Sequence, residues 1–233
     1  MEHLQIPERP DTEKLVMGAR ILAAAGHGSG LAGQLTVRAD ADSLWTLPLG
    51  LGFEEIDEEN LIRVDEELCT VEGDGVANPA VRFHIWIYRA RPDVHCVAHT
   101  HSPAASALSM LGCPLVAAHM DAMMFYEDCA YLPEWPGVPT ADEEGRIIST
   151  ALGHKRAILL ANHGLLTAAA SVEETAYLAY FMERAARLQL DAQGAGPIQP
   201  VAPEHGRVAH DFLLRPEIVG STFEYLARLV GTD

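Results

Sequence analysis

Positive charge is scarce in this chain: 16 lysines and arginines stand against 33 aspartates and glutamates, a net charge of −17 over 233 residues. So acidic a surface repels phosphate backbones and anionic headgroups, which argues against nucleic-acid and membrane partners unless a basic patch is hidden in the fold. No such patch is visible. Long apolar runs are missing as well, since no stretch approaches the ~20 residues that span a bilayer. The opening Met1-Glu2-His3-Leu4-Gln5 lacks the basic and apolar regions of a signal peptide, so a cytoplasmic location is expected. Cysteine is equally sparse. Cys69, Cys96, Cys113 and Cys129 form no C-x-x-C pair. A chain of this length buries roughly 70% of its unfolded surface and needs no disulfide staple, so all four are expected as reduced core thiols.

What is present reads as one domain over residues 1–233, with 48% hydrophobic residues to supply a core. Residues 193–233 form a Gly- and Pro-rich linker, to about Pro203, and a helical tail. Asp11 and Thr12 offer N-caps for a helix to about Ala25, stopped where Gly26, Gly28, Gly30 and Gly33 crowd together. That cluster follows a helix and carries no G-K-[ST], which makes it a turn and not a phosphate loop. Gln34 to Arg38 alternates as a strand, and short strands are expected at Ser43–Leu47, Leu61–Val64 and Glu67–Val71.

Asn78-Pro79 opens a helix to about Ala90. A buried strand over His95–His101 follows, then a helix from Pro103 to Met110 and an irregular stretch through Pro139. The remainder reads as a helix near Asp142–Leu152, strands at Ala157–Ala161 and Leu165–Ala168, and a long helix opened by a capping box at Ser171 and running to about Ala192. Intermixed strands and helices predict a central sheet with helices packed on it.

The sharpest local feature is His99-Thr100-His101. Side chains at i and i+2 of a strand share one face, about 6.5–7 Å apart at their roots, so two imidazoles can converge on one cation. A third ligand is needed, and Asn162-His163-Gly164 sits at the other strand-to-turn position.

Those histidines, with Arg91-Pro92-Asp93-Val94 before them and Leu159-Leu160-Ala161 leading into Asn162-His163-Gly164, resemble the class II aldolase/adducin family. The resemblance extends from the first helix, through Gly33-Gln34-Leu35-Thr36-Val37-Arg38, to the helix after Ser171, roughly residues 12 to 192. It implies a three-layer α/β/α sandwich around a mixed, mainly antiparallel sheet. It also implies a homotetramer with active sites between subunits, and one divalent metal ion per chain on His99, His101 and His163. Zinc, manganese, iron and cobalt all suit imidazole, and the sequence does not choose among them.

The departures are as informative. Sugar-phosphate aldolases of the family carry P-S-S-E before the helix that leads to R-P-D, with serines for phosphate and a glutamate as acid/base. Here the segment is Ala77-Asn78-Pro79-Ala80, which has neither, so phosphorylated sugars are not expected as substrates. Asn-Pro-Ala resembles instead the adducin head domains and metal-dependent enzymes acting on hydroxylated ring acids. Retention of all three histidines favours an enzyme over an adducin-like interaction module.

A three-histidine Lewis acid without a base suits decarboxylation, in which carbon dioxide leaves in place of an abstracted proton. The expected activity is therefore a metal-dependent, non-oxidative decarboxylase of a hydroxylated aromatic mono- or dicarboxylic acid such as a dihydroxyphthalate, a lyase of aromatic catabolism. An aldolase acting on a non-phosphorylated hydroxy- or keto-acid, and an iron-dependent oxygenase, remain as alternatives. The small-molecule substrate would be met by Gln34, Asn78 and Arg82, with Arg82 equally able to meet a surface acid. Tyr131 or His119 would deliver the proton, although an aromatic beside Pro133 and Trp135 also packs and a loop histidine also solvates. His84 is expected as a satisfied core histidine.

Overall fold

A computed structural model describes residues 6–137 and 142–231. Eight strands form a single sheet in the order β4-β3-β2-β1-β5-β8-β7-β6, antiparallel throughout except for the β6–β7 pair. β1 (Gln34–Arg38), β2 (Ser43–Thr46), β3 (Ile62–Asp65) and β4 (Thr70–Glu72) make one half as a meander. β5 (Cys96–Thr100) lies at the centre between β1 and β8 (Gly164–Ala169), and β7 (Ala157–Leu160) and β6 (Cys129–Leu132) complete the other half.

Alternation along the strands divides the core in two. Val97, Ile158, Leu160 and Leu166 face α2 (Val81–Ala90) and α4 (Asp142–Leu152), while Leu35, Val37, Ala98 and Leu165 face α1 (Asp11–Leu22), α3 (Pro103–Ser109) and α5 (Val172–Ala195). The sheet is thus covered on both faces, the expected three layers. Every residue of β5 is buried, so its pattern is a continuous run and not an alternation. No helix among the described residues is long and apolar enough to cross a membrane.

The first helix departs from expectation at both ends. Pro10 is its N-cap and no side chain caps it, because Asp11 and Thr12 already lie in the first turn. At the far end the chain widens into a π turn over Ala23–His27, where Gly26 adopts φ 85°. Ser171 does cap α5, accepting from the amide of Glu174 at 3.1 Å, and the helix runs on to Ala195. Cys69 is exposed, so the four free cysteines are not all core residues.

The stretch expected as irregular through Pro139 holds a 3₁₀ segment, Met120–Phe125, and the whole of β6. That strand is four residues long and is defined by its parallel partner, a signal absent from its own sequence. The tail forms α6 (Pro203–Leu213) and α7 (Pro216–Val230). Phe223, Leu226 and Ala227 of α7 pack on Met17, Ile21 and Ala176. Gly206 of α6 lies so close to the Tyr126 ring that a Cβ there would come within 2.5 Å of it.

Candidate metal centre and its cavity

The pleat turns Val97 and His99 of β5 towards α2, where His99 meets the edge of Phe83 at 5.1 Å between ring centroids. His99 is 1% exposed. Its Nδ1 lies 2.8 Å from the carbonyl oxygen of Leu165 on the adjacent β8. A carbonyl only accepts, so Nδ1 carries the proton and Nε2 keeps a bare lone pair. His101 follows directly after the strand, with its Nε2 3.0 Å from that of His99.

The third imidazole comes from the turn between β7 and β8. Asn162 takes φ 54° to make the reversal. Gly164 then passes so close to β5 that a Cβ would stand 2.4 Å from the Thr100 carbonyl oxygen. The glycine of Asn162-His163-Gly164 thus permits the approach that brings His163 to the others.

Ring centroids are 4.9 Å apart for His99 and His101 and 4.7 Å for each of the other two pairs. One nitrogen from each ring lies within 4.8 Å of the other two. Burial, reinforced by the neighbouring rings, holds His99 well below the ordinary imidazole value. Burial lowers His163 to about 4 and lowers His101 as well. Three neutral nitrogens, one with a lone pair fixed by its tautomer, make a donor set that fits a divalent ion of borderline softness. Two nitrogens bound at ~2.0–2.1 Å in a tetrahedral arrangement would stand about 3.3 Å apart, close to the 3.0 Å seen here.

The histidines open onto a cavity of about 500 Å³. Gln34, paired with His99 in the β1–β5 register, lines it, and its Oε1 is buried with no hydrogen-bond partner. Asn78, Pro79 and Ala80 form a second wall, and Leu31, Ala32 and Trp135 a third. The Asn78 side chain is occupied structurally: Oδ1 accepts from the amide of Ala80 at 3.0 Å and Nδ2 donates to the carbonyl oxygen of Leu31 at 3.2 Å.

Three residues expected at the site lie outside this lining. Arg82 points back to the β3–β4 connection, donating to the carbonyl oxygens of Glu66 and Glu67 at 3.0 and 3.3 Å. His119 is exposed; its Nδ1 accepts from the Asp121 amide at 3.2 Å, and it borders a separate cavity of about 350 Å³ with Ala185 and Gln189. Tyr131 stands on β6, two strands from β8, with its hydroxyl buried and unpartnered.

His84 is a core histidine, as expected, but only half satisfied. Its Nδ1 meets Thr36 Oγ1 at 2.9 Å while Nε2 has no partner, and burial lowers it to about 3. Trp135, read in the sequence only as a packing neighbour, lines the cavity. His27 escaped notice altogether: it is fully buried on the opposite face of β5, its Nδ1 2.8 Å from Thr100 Oγ1. With 73 positions between the partners, no local pattern announces that contact.

Residues 13–190 match the family profile described as Class II Aldolase and Adducin N-terminal domain. A 4-hydroxy-3-prenylphenylpyruvate oxygenase/4-hydroxy-3-prenylbenzoate synthase from Streptomyces roseochromogenus subsp. oscitans is 37% identical over 184 residues, covering 77% of this chain and 66% of its own length. Decarboxylase NovR from Streptomyces niveus is likewise 37% identical over 184 residues, covering 77% of this chain and 68% of its own. The chain therefore spans about two thirds of the length of these curated relatives. Among solved structures, an L-fuculose 1-phosphate aldolase from Glaciozyma antarctica PI12 superposes with a TM-score of 0.86 at 30% identity, over 94% of this chain and 88% of the other.

Proposed function

Because the chain belongs to the class II aldolase and adducin family, we propose that it is a metal-dependent decarboxylase of a hydroxylated aromatic carboxylic acid, its ion held by His99, His101 and His163. One observation carries the reading: three neutral histidines converge on a cavity whose lining, among the described residues, contains no carboxylate. Ala80 stands where an acid/base would be needed for proton abstraction, so the chemistry best served is one in which no proton has to be abstracted. The relatives named for decarboxylase and benzoate-synthase activity point the same way.

When bound, a divalent ion on these imidazoles supplies an electrophile for the substrate's phenolic and carboxylate oxygens. The Leu165 carbonyl keeps the His99 ring in its tautomer and orientation. Gln34 offers its amide to a substrate oxygen beside the histidines, and Trp135, Leu31 and Pro79 give the ring an apolar surface that limits water. In the reaction the bond between ring carbon and carboxylate breaks. Electrons supplied by the phenolic oxygen first draw a proton onto that ring carbon, giving a non-aromatic ketone form; carbon dioxide then leaves, and the pair of the broken bond restores the aromatic ring. His119 and Tyr131 do not face the cavity of their own chain: His119, exposed, would deliver that proton into the cavity of a neighbouring copy, whereas Tyr131, its hydroxyl buried, would first have to turn outwards to do so. On this reading the working form is a homo-oligomer.

Carbon dioxide release from a panel of hydroxybenzoates in heavy water tests the reading, with deuterium expected at the vacated carbon and no oxygen consumed. Absence of deuterium there would remove protonation at that carbon from the reaction. Comparison of Tyr131→Phe and His119→Ala identifies the donor by which one slows deuterium incorporation. A second reading is favoured by the relative named as an oxygenase: three histidines also suit Fe(II), with molecular oxygen as oxidant. Carbon dioxide release that stops without oxygen would establish that reading instead.

A further inference from the structure

Resting on the three-histidine metal centre of the proposed function, we infer that Glu183, on α5, is a positioning residue: its carboxylate anchors α3, and α3 sets His101 and His163 at the spacing an ion requires. Glu183 lies outside both the histidine cluster and the cavity lining. Its two oxygens accept from first-turn amides of α3, Oε1 from Ala104 and Oε2 from Ala105, each at 2.8 Å.

A helix normally satisfies those amides with the side chain of its own N-cap residue. Here the N-cap is Ser102, whose Oγ is buried without a hydrogen-bond partner. The cap comes instead from a helix 78 and 79 positions further along the chain. A local cap would stabilise α3 wherever it lay, whereas a cap carried by α5 also fixes where α3 lies. Packing alone fixes it weakly, because its buried side chains are Ala104, Ala105, Leu108 and Ser109, of which only Leu108 is large.

Two of the three candidate ligands depend on that placement. His101 is separated from Pro103, the first residue of α3, by Ser102 alone. On the helix flank, Ser106 Oγ donates to the His163 carbonyl oxygen at 3.3 Å, and the Ser109 carbonyl oxygen accepts from the Asn162 amide at 3.2 Å. His99 is held separately, within β5 and by the Leu165 carbonyl. Every contact in this support is made within one chain. Loss of the Glu183 carboxylate leaves two amides without acceptors, and the first turn then has to shift or open towards water to recover them. Either movement carries His101 and His163 away from His99.

The test is the Co2+ affinity of the full chain, measured by competition with a chelator, read with the visible spectrum of the bound ion and the melting temperature of the metal-free protein. Glu183→Ala should lose at least about tenfold in affinity and alter the spectrum. Glu183→Gln removes the same charge but keeps an oxygen for one amide, so it should lose only a few-fold. Glu173→Ala removes a carboxylate of the same helix, paired with Lys14 at 2.8 Å, and should lower the melting temperature while leaving affinity and spectrum unchanged. Parental affinity in Glu183→Ala overturns the proposal. So does a Gln variant as weak as the Ala one, which would assign the effect to charge, or an equal loss in Glu173→Ala, which would assign it to general destabilisation. If Glu183→Ala does not fold, Glu183→Gln decides: a few-fold loss with an altered spectrum supports the proposal, and parental values overturn it. A parent that itself binds no Co2+ would overturn the metal centre and this inference with it, whereas normal binding by the parent with indifferent variants overturns the inference alone.

Discussion

The two faces of β5 both carry buried histidines, yet only one looks like a place for chemistry. On the face towards α1 and α5, His27 is fully buried, lowered to about 4 by burial, and joined to the Thr100 hydroxyl. On the face towards α2, His99 is as deeply buried and as surely neutral, but its bare nitrogen meets those of two other rings at the wall of a cavity. Burial and a depressed proton affinity are therefore common to a structural histidine and a candidate ligand. What separates them is convergence of lone pairs with room in front of them.

Removing one of the converging rings should have the largest effect. His101→Ala or His163→Ala is expected to lower the metal content measured by elemental analysis from about one ion per chain to near zero, and to cost activity by orders of magnitude. Folding should be largely kept, because the site is open and catalytic and not a closed structural one. Equal metal in variant and parent would remove the distinction between the faces.

A smaller effect is expected from the other face. His27 holds Thr100, which sits between two of the candidate ligands, so His27→Ala should weaken metal affinity, measured by competition with a chelator, by about tenfold. His27→Gln, which can still meet the hydroxyl, should restore most of it. A fall in melting temperature with unchanged affinity would show that His27 serves packing alone.

The smallest effect concerns the tail. On α6, His210 bonds Asp128 at 3.2 Å and Asp211 at 2.9 Å. The bond to Asp128 raises it above the ordinary imidazole value, against burial and the nearby Arg156. A raised value in the folded state means that its contribution is complete below about 6.5, the ordinary histidine value, and fades as pH rises through the raised one. Hydrogen exchange in α6, corrected for intrinsic rate, should therefore quicken a few-fold from pH 6 to pH 9, and His210→Gln should flatten that profile. Tyr126 packing on Gly206 is independent of pH and should keep the helix docked throughout.

Much of this was legible in the sequence where the signal is local. The capping serine of α5, the buried run of β5 and the His-x-His spacing each announce themselves within a few residues, and His163 could be joined to them through the motif around it. β6 was not legible, because four residues with no marked alternation become a strand only beside β7. Neither was the direction of Arg82, whose partners are backbone carbonyls 15 and 16 positions away. Trp135 could be seen in the sequence but not placed, since nothing local says whether an exposed aromatic faces solvent or a cavity.

The hydrogen bond from His99 to Leu165 joins positions 66 residues apart, across the β5–β8 pair at the middle of the sheet. Pairing over such a loop is closed late and slowly when a chain folds. His99 and His101 arrive on one side of that closure and His163 on the other, so an unfolded or half-folded chain presents at most a two-ligand fragment. The full affinity for an ion exists only once the central pair has zipped. An ion bound by all three rings would therefore favour the finished sheet over any reopened form, adding to the stability of a fold that closes without it.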